Sequence, residues 1–369
     1  MVKRLLCIVT AMDAGGAETY LMKTYRKLDR EKYQMDFAVS VEGKGYYDDE
    51  ILSLGGQVHF VPPKSKNPIK SFAAIARLVR REGYKYVLRT SQQSLAALDL
   101  LAARLGGAKV LVYRSSNAGT TLGGKGRLLQ RLFAFMPRLF ANVKVAPSTA
   151  AAEYVFGKGC VKSGKAQLLR NAIDLDHYRF DAEGRERVKA ELGITGKTVI
   201  GHVGRFNAQK NHKFLLSIFA EIKKRQPDSV LLLVGKGELQ QDVRQQAQHL
   251  GIDDSVIFAG VRSDIPQVMS AMDVFVFPSF FEGMPNTVIE AQAVSLPCVI
   301  ADTITAEAAV TELVRYLPLD ASAEGWAEAA VRLLGSVRTE VKAQMAAAGY
   351  DSTVAAQQFV QTVFEKVKQ

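Results

Sequence analysis

The chain has 369 residues, too many for one typical domain and suited to two of about 150–200 residues each. Hydrophobic residues make up 48% of it, enough for two cores, which excludes a disordered chain, and no apolar run reaches the roughly 18 residues of a membrane-spanning helix. The net charge of +11 is uneven: through Arg179 there are 29 Lys and Arg against 14 Asp and Glu, and beyond it 19 against 23. This asymmetry turns the first half toward an anionic surface, and without a zinc-finger, helix-turn-helix or RNA-binding signature a membrane face or lipid-phosphate acceptor fits better than nucleic acid.

In chain order, residues 5–10 form a continuous apolar run. It reads as a strand buried on both faces rather than a signal peptide, because Asp13 follows with no small-residue cleavage site. Residues 18–28 have helical spacing. Residues 35–41 read as a second strand, 48–54 as a short helix and 58–61 as a third strand. A loop with two lysines leads to a basic amphipathic helix over 69–81, with Phe72, Ile75, Ala76 and Val79 on one side. Residues 86–90 and 110–114 are further strands. Residues 123–140 combine Arg127, Arg131 and Arg138 with Leu128, Leu132, Phe133, Phe135, Met136 and Phe140. Such a helix can lie on a membrane, or sit in a core with its arginines reaching out.

Periodicity fades around residues 176–196, and the domain junction is placed there. Strands then recur at 198–203, 230–234, 256–258, 274–277 and 298–301, separated by helices over 212–225, 238–250, 264–271 and 287–294. An amphipathic helix covers 353–367. The expected organisation is a Rossmann-like domain over 1–180, a second over 181–350 and a terminal helix over 351–369 that packs back on the first. The class is α/β, two doubly wound domains facing across a cleft.

Cys7, Cys160 and Cys298 are far apart and lack metal-ligand spacing, so they read as buried thiols of a reducing compartment. His59, His177, His202, His212 and His249 are assigned structural roles. No Asp-x-Asp pair lies where a metal would serve; Asp48-Asp49 and Asp253-Asp254 suit a helix start and a turn.

Three strand–turn–helix joints carry the chemistry. Gly15-Gly16 follow the first strand, where glycines let the backbone approach an anion or simply make the turn. Arg205 and Lys210 follow the strand over 198–203. Two cations near a helix start suit a diphosphate, and the glycine spacing there is not that of a dinucleotide fingerprint. In residues 277–291 a strand ends, Glu282 sits in the loop, and Pro285-Asn286 opens a helix. The amides of Gly283, Met284, Asn286 and Thr287 can face a phosphate, and Glu290 can accept from the two hydroxyls of a ribose.

The Glu282-x7-Glu290 segment resembles the corresponding motif of retaining glycosyltransferases of the GT-B fold, in glycosyltransferase family four. Gly15-Gly16-Ala17-Glu18 is similar to that family's N-terminal glycine loop, and Val203-Gly204-Arg205-Phe206 with Lys210-Asn211 to its diphosphate clamp. Residues 233–237, and 258–262 with Asp264, match as well. The resemblance spans essentially the whole chain. Asn67-Pro68-Ile69-Lys70 and residues 46–50 look most like the branch that builds capsules and exopolysaccharides.

The resemblance implies a nucleotide sugar as co-substrate, with a UDP-sugar favoured, no metal or other cofactor, and a glycan or lipid-linked acceptor. Arg205 and Lys210 would stabilise the leaving diphosphate. Glu282, with Gly283, Met284 and Asn286, would hold the sugar, and Glu290 the ribose. Val261 and Arg262 would meet the base, and Gly15 and Gly16 the diphosphate. Arg114 and Asn117 stand where many relatives carry a His-x-His-Asn stretch, which puts the acceptor side in question. The competing readings are a catalytically silent nucleotide-sugar-binding protein and a nucleotide-sugar epimerase. The expected location is cytoplasmic, peripheral at the inner face of a membrane.

Overall fold

The computed structural model describes residues 2–13, 15–116 and 124–365, with only the backbone of residues 124–127. The chain divides into two compact units, residues 1–172 with 349–369, and residues 173–348.

The first unit is built on seven parallel strands: β1 (Lys3–Ile8), β2 (Tyr33–Val39), β3 (Val58–Phe60), β4 (Tyr86–Thr90), β5 (Val110–Arg114), β6 (Val143–Ala146) and β7 (Gln167–Leu168). Their order is β3-β2-β1-β4-β5-β6-β7. Alternate strand residues supply two cores, one on each face. Leu6, Ile8, Val87, Leu111 and Tyr113 pack under the helices Pro68–Glu82, Leu98–Gly106 and Thr149–Phe156. Leu5, Cys7, Phe37, Leu88 and Val112 pack under Gly16–Lys27 and Ser352–Val360. Phe364 sits against the rings of Tyr33 and Tyr86, at 4.8 and 5.0 Å between centroids, so the late segment completes this core.

The second unit holds six parallel strands: β8 (Thr198–Val203), β9 (Ser229–Val234), β10 (Val256–Gly260), β11 (Val274–Phe277), β12 (Cys298–Ala301) and β13 (Val314–Leu317), in the order β10-β9-β8-β11-β12-β13. In both sheets the strand order reverses beside the first strand, at β1/β4 and at β8/β11. In open α/β sheets the crevice beyond the strand ends at that point is where ligands bind.

Several elements went unread in the sequence. The helix Ala182–Glu191 fills the stretch where periodicity faded. Its first turn is capped by Asp181, which accepts from the Gly184 amide at 2.8 Å, and Arg185 pairs with Asp273 at 2.7 Å. Its charged sequence has no wide apolar stripe, so polar anchors hold it. Strands β6, β7 and β13 are only two to four residues long, too short to alternate visibly. Cys7, Cys160 and Cys298 are buried free thiols. Among the described residues no helix is long and apolar enough to cross a membrane.

Candidate active site

The loops after β8, β9 and β11 are fastened to one another by backbone. The Gly204 amide donates to the Val234 carbonyl at 2.9 Å, and the Phe206 amide to that of Lys236 at 3.2 Å. Gly235 has φ +135°, and a Cβ there would fall 2.1 Å from the Gly204 carbonyl oxygen. Only glycine allows that approach. A turn over Ala208–Lys210 follows, with the Asn207 side chain accepting from the Lys210 amide at 3.3 Å, and Asn211 takes the left-handed conformation at φ 54°. The turn then meets the loop beyond β11 twice. The Phe280 amide donates to the Gln209 carbonyl at 2.9 Å, and the Gln209 side chain donates to the Phe281 carbonyl at 2.8 Å.

This fastening brings Lys210 onto Glu282. Lys210 Nζ lies 2.6 Å from Glu282 Oε1, with the two side chains only 15% and 10% exposed, and 4.4 Å from the centre of the Phe277 ring. Arg205, in the same loop, is 71% exposed and pairs with the rim acid Glu238, at 3.4 Å. The site thus offers one held cation and one outward guanidinium at the switch point of the second sheet. Below them His202 Nδ1 donates to the Val276 carbonyl at 2.9 Å, and His212 stacks on Phe206 at 4.4 Å. Both imidazoles are buried, with rings 4.9 Å apart, and His202 Nε2 and both His212 nitrogens have no hydrogen-bond partner. Burial, with the nearby Lys210 charge, holds His212 down at about 4 and His202 well below the ordinary range, so both stay neutral.

The helix Asn286–Ala293 starts behind Pro285, whose ring gives it no side-chain cap. Gly283 and Met284 are buried in the approach, and Asn286, Thr287 and Glu290 are half-buried. Glu290 accepts a hydrogen bond from Tyr178, whose phenol is pushed far up, first by burial and then by that carboxylate. Tyr178 was missed in the sequence, since nothing local marks a residue whose partner lies in a distant helix. Beyond β10, Val261 is exposed, while Arg262 is held by Asp264 at 2.7 Å and by Glu191. Its guanidinium is thereby fixed beside the loop backbone. Among the described residues no group of three or more His, Cys, Asp or Glu could hold a metal ion.

In the first unit, Gly15 caps the helix Gly16–Lys27 without a side chain, and a Cβ on Gly15 would fall 2.4 Å from a Glu18 carboxylate oxygen. Arg114, at the end of β5, is fully buried. Its guanidinium lies 3.6 Å from the centre of the Tyr20 ring and donates to Asn171 at 2.5 Å. Arg89, at the end of β4, shares buried Asp99 with Lys64, at 3.0 and 2.6 Å. Asn117 lies outside the described residues, as do residue 123 and the side chain of Arg127.

Two family models cover the chain in succession. "Glycosyltransferase Family 4" matches residues 14–177 and "Glycosyl transferases group 1" residues 197–336. The putative glycosyltransferase EpsF of Bacillus subtilis is 34% identical over 358 residues, covering 95% of this chain and 93% of that protein. The chain belongs to this glycosyltransferase family. An Escherichia coli UDP-Gal:alpha-D-GlcNAc-diphosphoundecaprenol alpha-1,3-galactosyltransferase is 26% identical over 301 residues, 78% of this chain and 76% of that one. Anabaena HepE, solved in complex with UDP and glucose, matches this glycosyltransferase with a TM-score of 0.77 at 20% identity, over 97% of this chain and 98% of the other. The fold is therefore GT-B, made of two Rossmann-like units, and the protein is a transferase with relatives in polysaccharide biosynthesis.

Proposed function

We propose that the protein moves a sugar from a nucleotide-diphosphate donor to a hydroxyl of a glycan or lipid-linked acceptor, with retention of configuration, in the making of a surface polysaccharide. A UDP-sugar is the favoured donor. The observation that carries this reading is the Lys210–Glu282 contact, which unites a cation suited to a diphosphate with a carboxylate suited to sugar hydroxyls. The relatives whose names include UDP support the choice of base.

The chemistry follows from where charge grows. As the glycosidic bond to the diphosphate lengthens, the sugar becomes oxocarbenium-like and the phosphate oxygens gain negative charge. Lys210 and Arg205 meet that charge, joined by the amides at the start of the helix Asn286–Ala293. Glu290, oriented by Tyr178, receives the ribose diol. Val261 and Arg262 flank the base, and Gly283, Met284, Asn286 and Thr287 line the approach to the sugar. The departing phosphate takes the acceptor's proton on the same face, which preserves configuration. Lys210 and Arg205 supply the countercharge a metal would otherwise provide.

The test is a thermal-stability panel of nucleotides and nucleotide sugars, with Glu290→Ala alongside, followed by NMR of the product's anomeric centre. A rise in Tm with UDP compounds that Glu290→Ala abolishes supports the donor assignment, since ligands of the folded state stabilise it by mass action. No shift with any nucleotide would overturn it. Binding without sugar transfer to any acceptor would move the silent-binder reading forward.

A further inference from the structure

The helix Asn286–Ala293 begins at the candidate donor site and ends at a cavity. That cavity, of about 290 Å³, lies within the second unit, walled by residues from the segments 175–180 and 338–342 together with Ala293 and Ser295. Tyr178 stands in the wall and donates to Glu290, so one side chain joins the cavity to the carboxylate proposed for the ribose. Arg338 stands there too and donates to the Val294 carbonyl at 3.2 Å, directly after the helix. Ser295, next in the chain, takes the left-handed conformation at φ 59°, and its hydroxyl donates to the Thr339 carbonyl.

The wall holds cations that its acids do not balance. Lys342 pairs with Asp176, and Glu340 is exposed. Arg179 is exposed as well and pairs with no acid among the described residues. Arg338 lies over the Phe180 ring at 5.3 Å, and its two hydrogen bonds go to neutral carbonyls, those of Val294 and Met272. A guanidinium has five N–H donors to satisfy. Asp273, the acid whose charge reaches Arg338, is already bound to Arg185 at 2.7 Å and faces the buried Lys189 at 3.8 Å. Burial, and then the neighbouring Arg185, pull Arg338 down to about 10. A desolvated cation without a counter-ion is costly to keep, and an anion bound beside it relieves that cost.

We propose that this cavity is a regulatory site for a small phosphate monoester, its phosphate between Arg179 and Arg338 and its body against Phe180 and Val341. Two guanidiniums suit a dianion whose oxygens accept forked hydrogen bonds. The volume is at the small end of ligand pockets and fits a sugar phosphate better than a nucleotide sugar. A ligand held here fixes Tyr178 and the end of the helix Asn286–Ala293, and through them Glu290 and the first amides of that helix. Two ligands that favour one arrangement raise each other's affinity by the same factor. The site itself stands apart from the donor assignment, and the coupling rests on it.

The experiment titrates the full-length protein by calorimetry with mannose 6-phosphate, inorganic phosphate and mannose, with and without saturating UDP. Mannose 6-phosphate should bind, inorganic phosphate should bind more weakly and mannose not at all, and UDP should displace neither phosphate. Arg179→Gln, a change at an exposed side chain that leaves folding intact, should weaken mannose 6-phosphate about tenfold. Lys210→Ala, in the candidate donor site, should bind it as the unmodified protein does. Mannose 6-phosphate should tighten UDP binding about fivefold or more, and UDP should tighten mannose 6-phosphate by the same factor. Failure of both phosphates to bind, mannose binding as tightly as its phosphate, displacement by UDP, an unaffected Arg179→Gln variant, or a UDP affinity indifferent to mannose 6-phosphate would each overturn the proposal. Phosphate binding that persists while no UDP compound binds would overturn the donor assignment and leave the site standing.

Discussion

Lys210 and Glu282 are 72 residues apart in sequence and 2.6 Å apart in space, the ammonium resting over the face of Phe277. The contact satisfies two charges that are both largely removed from water. It also sets the resting position of the cation to which the proposed mechanism assigns the donor diphosphate.

Removing the ammonium should therefore affect rate and stability differently. Lys210→Ala is expected to lower kcat by about 10²–10³, the usual effect of losing one group that stabilises growing charge. The Lys210→Met and Glu282→Gln variants should each lose more stability than the double variant implies, with a coupling of about 1–3 kcal/mol, because each leaves the other group desolvated and alone. Urea unfolding of the four proteins measures the coupling, and additive effects would show that the contact contributes nothing to folding.

Tyr178 donates to Glu290, the carboxylate proposed to receive the ribose. Tyr178→Phe should cost about 1 kcal/mol of stability, the typical worth of a hydrogen bond. It should weaken donor binding while leaving kcat near normal at saturating donor. Steady-state kinetics against donor concentration checks this; a fall in kcat with unchanged KM would place Tyr178 at the reacting centre instead.

The two buried imidazoles make stability depend on pH. His212 holds its proton only below about 4 when folded, whereas an exposed histidine does so below roughly 6.5. Between those values the unfolded chain binds the additional proton, so the stabilisation is complete above the upper value and is lost as pH falls toward the lower. His212 alone should account for about 2 kcal/mol between pH 7 and pH 5, and His202 adds in the same direction. Urea midpoints across this range, with a His212→Phe variant showing a shallower slope, test the assignment.

Arg114 is a planar cation laid on Tyr20 and reaching Asn171. Lysine cannot reproduce both contacts. Arg114→Lys is expected to cost about 1–3 kcal/mol and to loosen the start of the helix Gly16–Lys27. Hydrogen exchange in residues 15–20 would report that loosening directly; unchanged protection there would show the stack to be dispensable.

Long buried strands were legible in the sequence because both of their faces are covered, as in β1, β8, β9 and β11. The joint carrying Glu282 and Glu290 was legible because a strand, a Pro-opened helix and two spaced acids mark one another. The Lys210–Glu282 contact itself was not. It depends on Gly235 allowing two loops to touch and on Gln209 meeting residues 280–281, relations between segments with no local trace. Arg114 shows the opposite difficulty. In sequence a lone arginine at a strand end looks available to a ligand, and only the three-dimensional neighbourhood shows it enclosed by Tyr20 and Asn171.

The segment Ser352–Glu365 supplies Ala356, Phe359, Val363 and Phe364 to the core of the first unit, yet it is translated after the whole of the second. On the ribosome, the first sheet must wait with Tyr33, Tyr86 and one apolar face uncovered until about 180 further residues have been made, roughly 10–40 s at ordinary elongation rates. The second unit, by contrast, has all its residues in one run and can fold as soon as it emerges. The order of synthesis is thus not the order of completion, and the half that is made first is the one most exposed to chaperones and to misassembly.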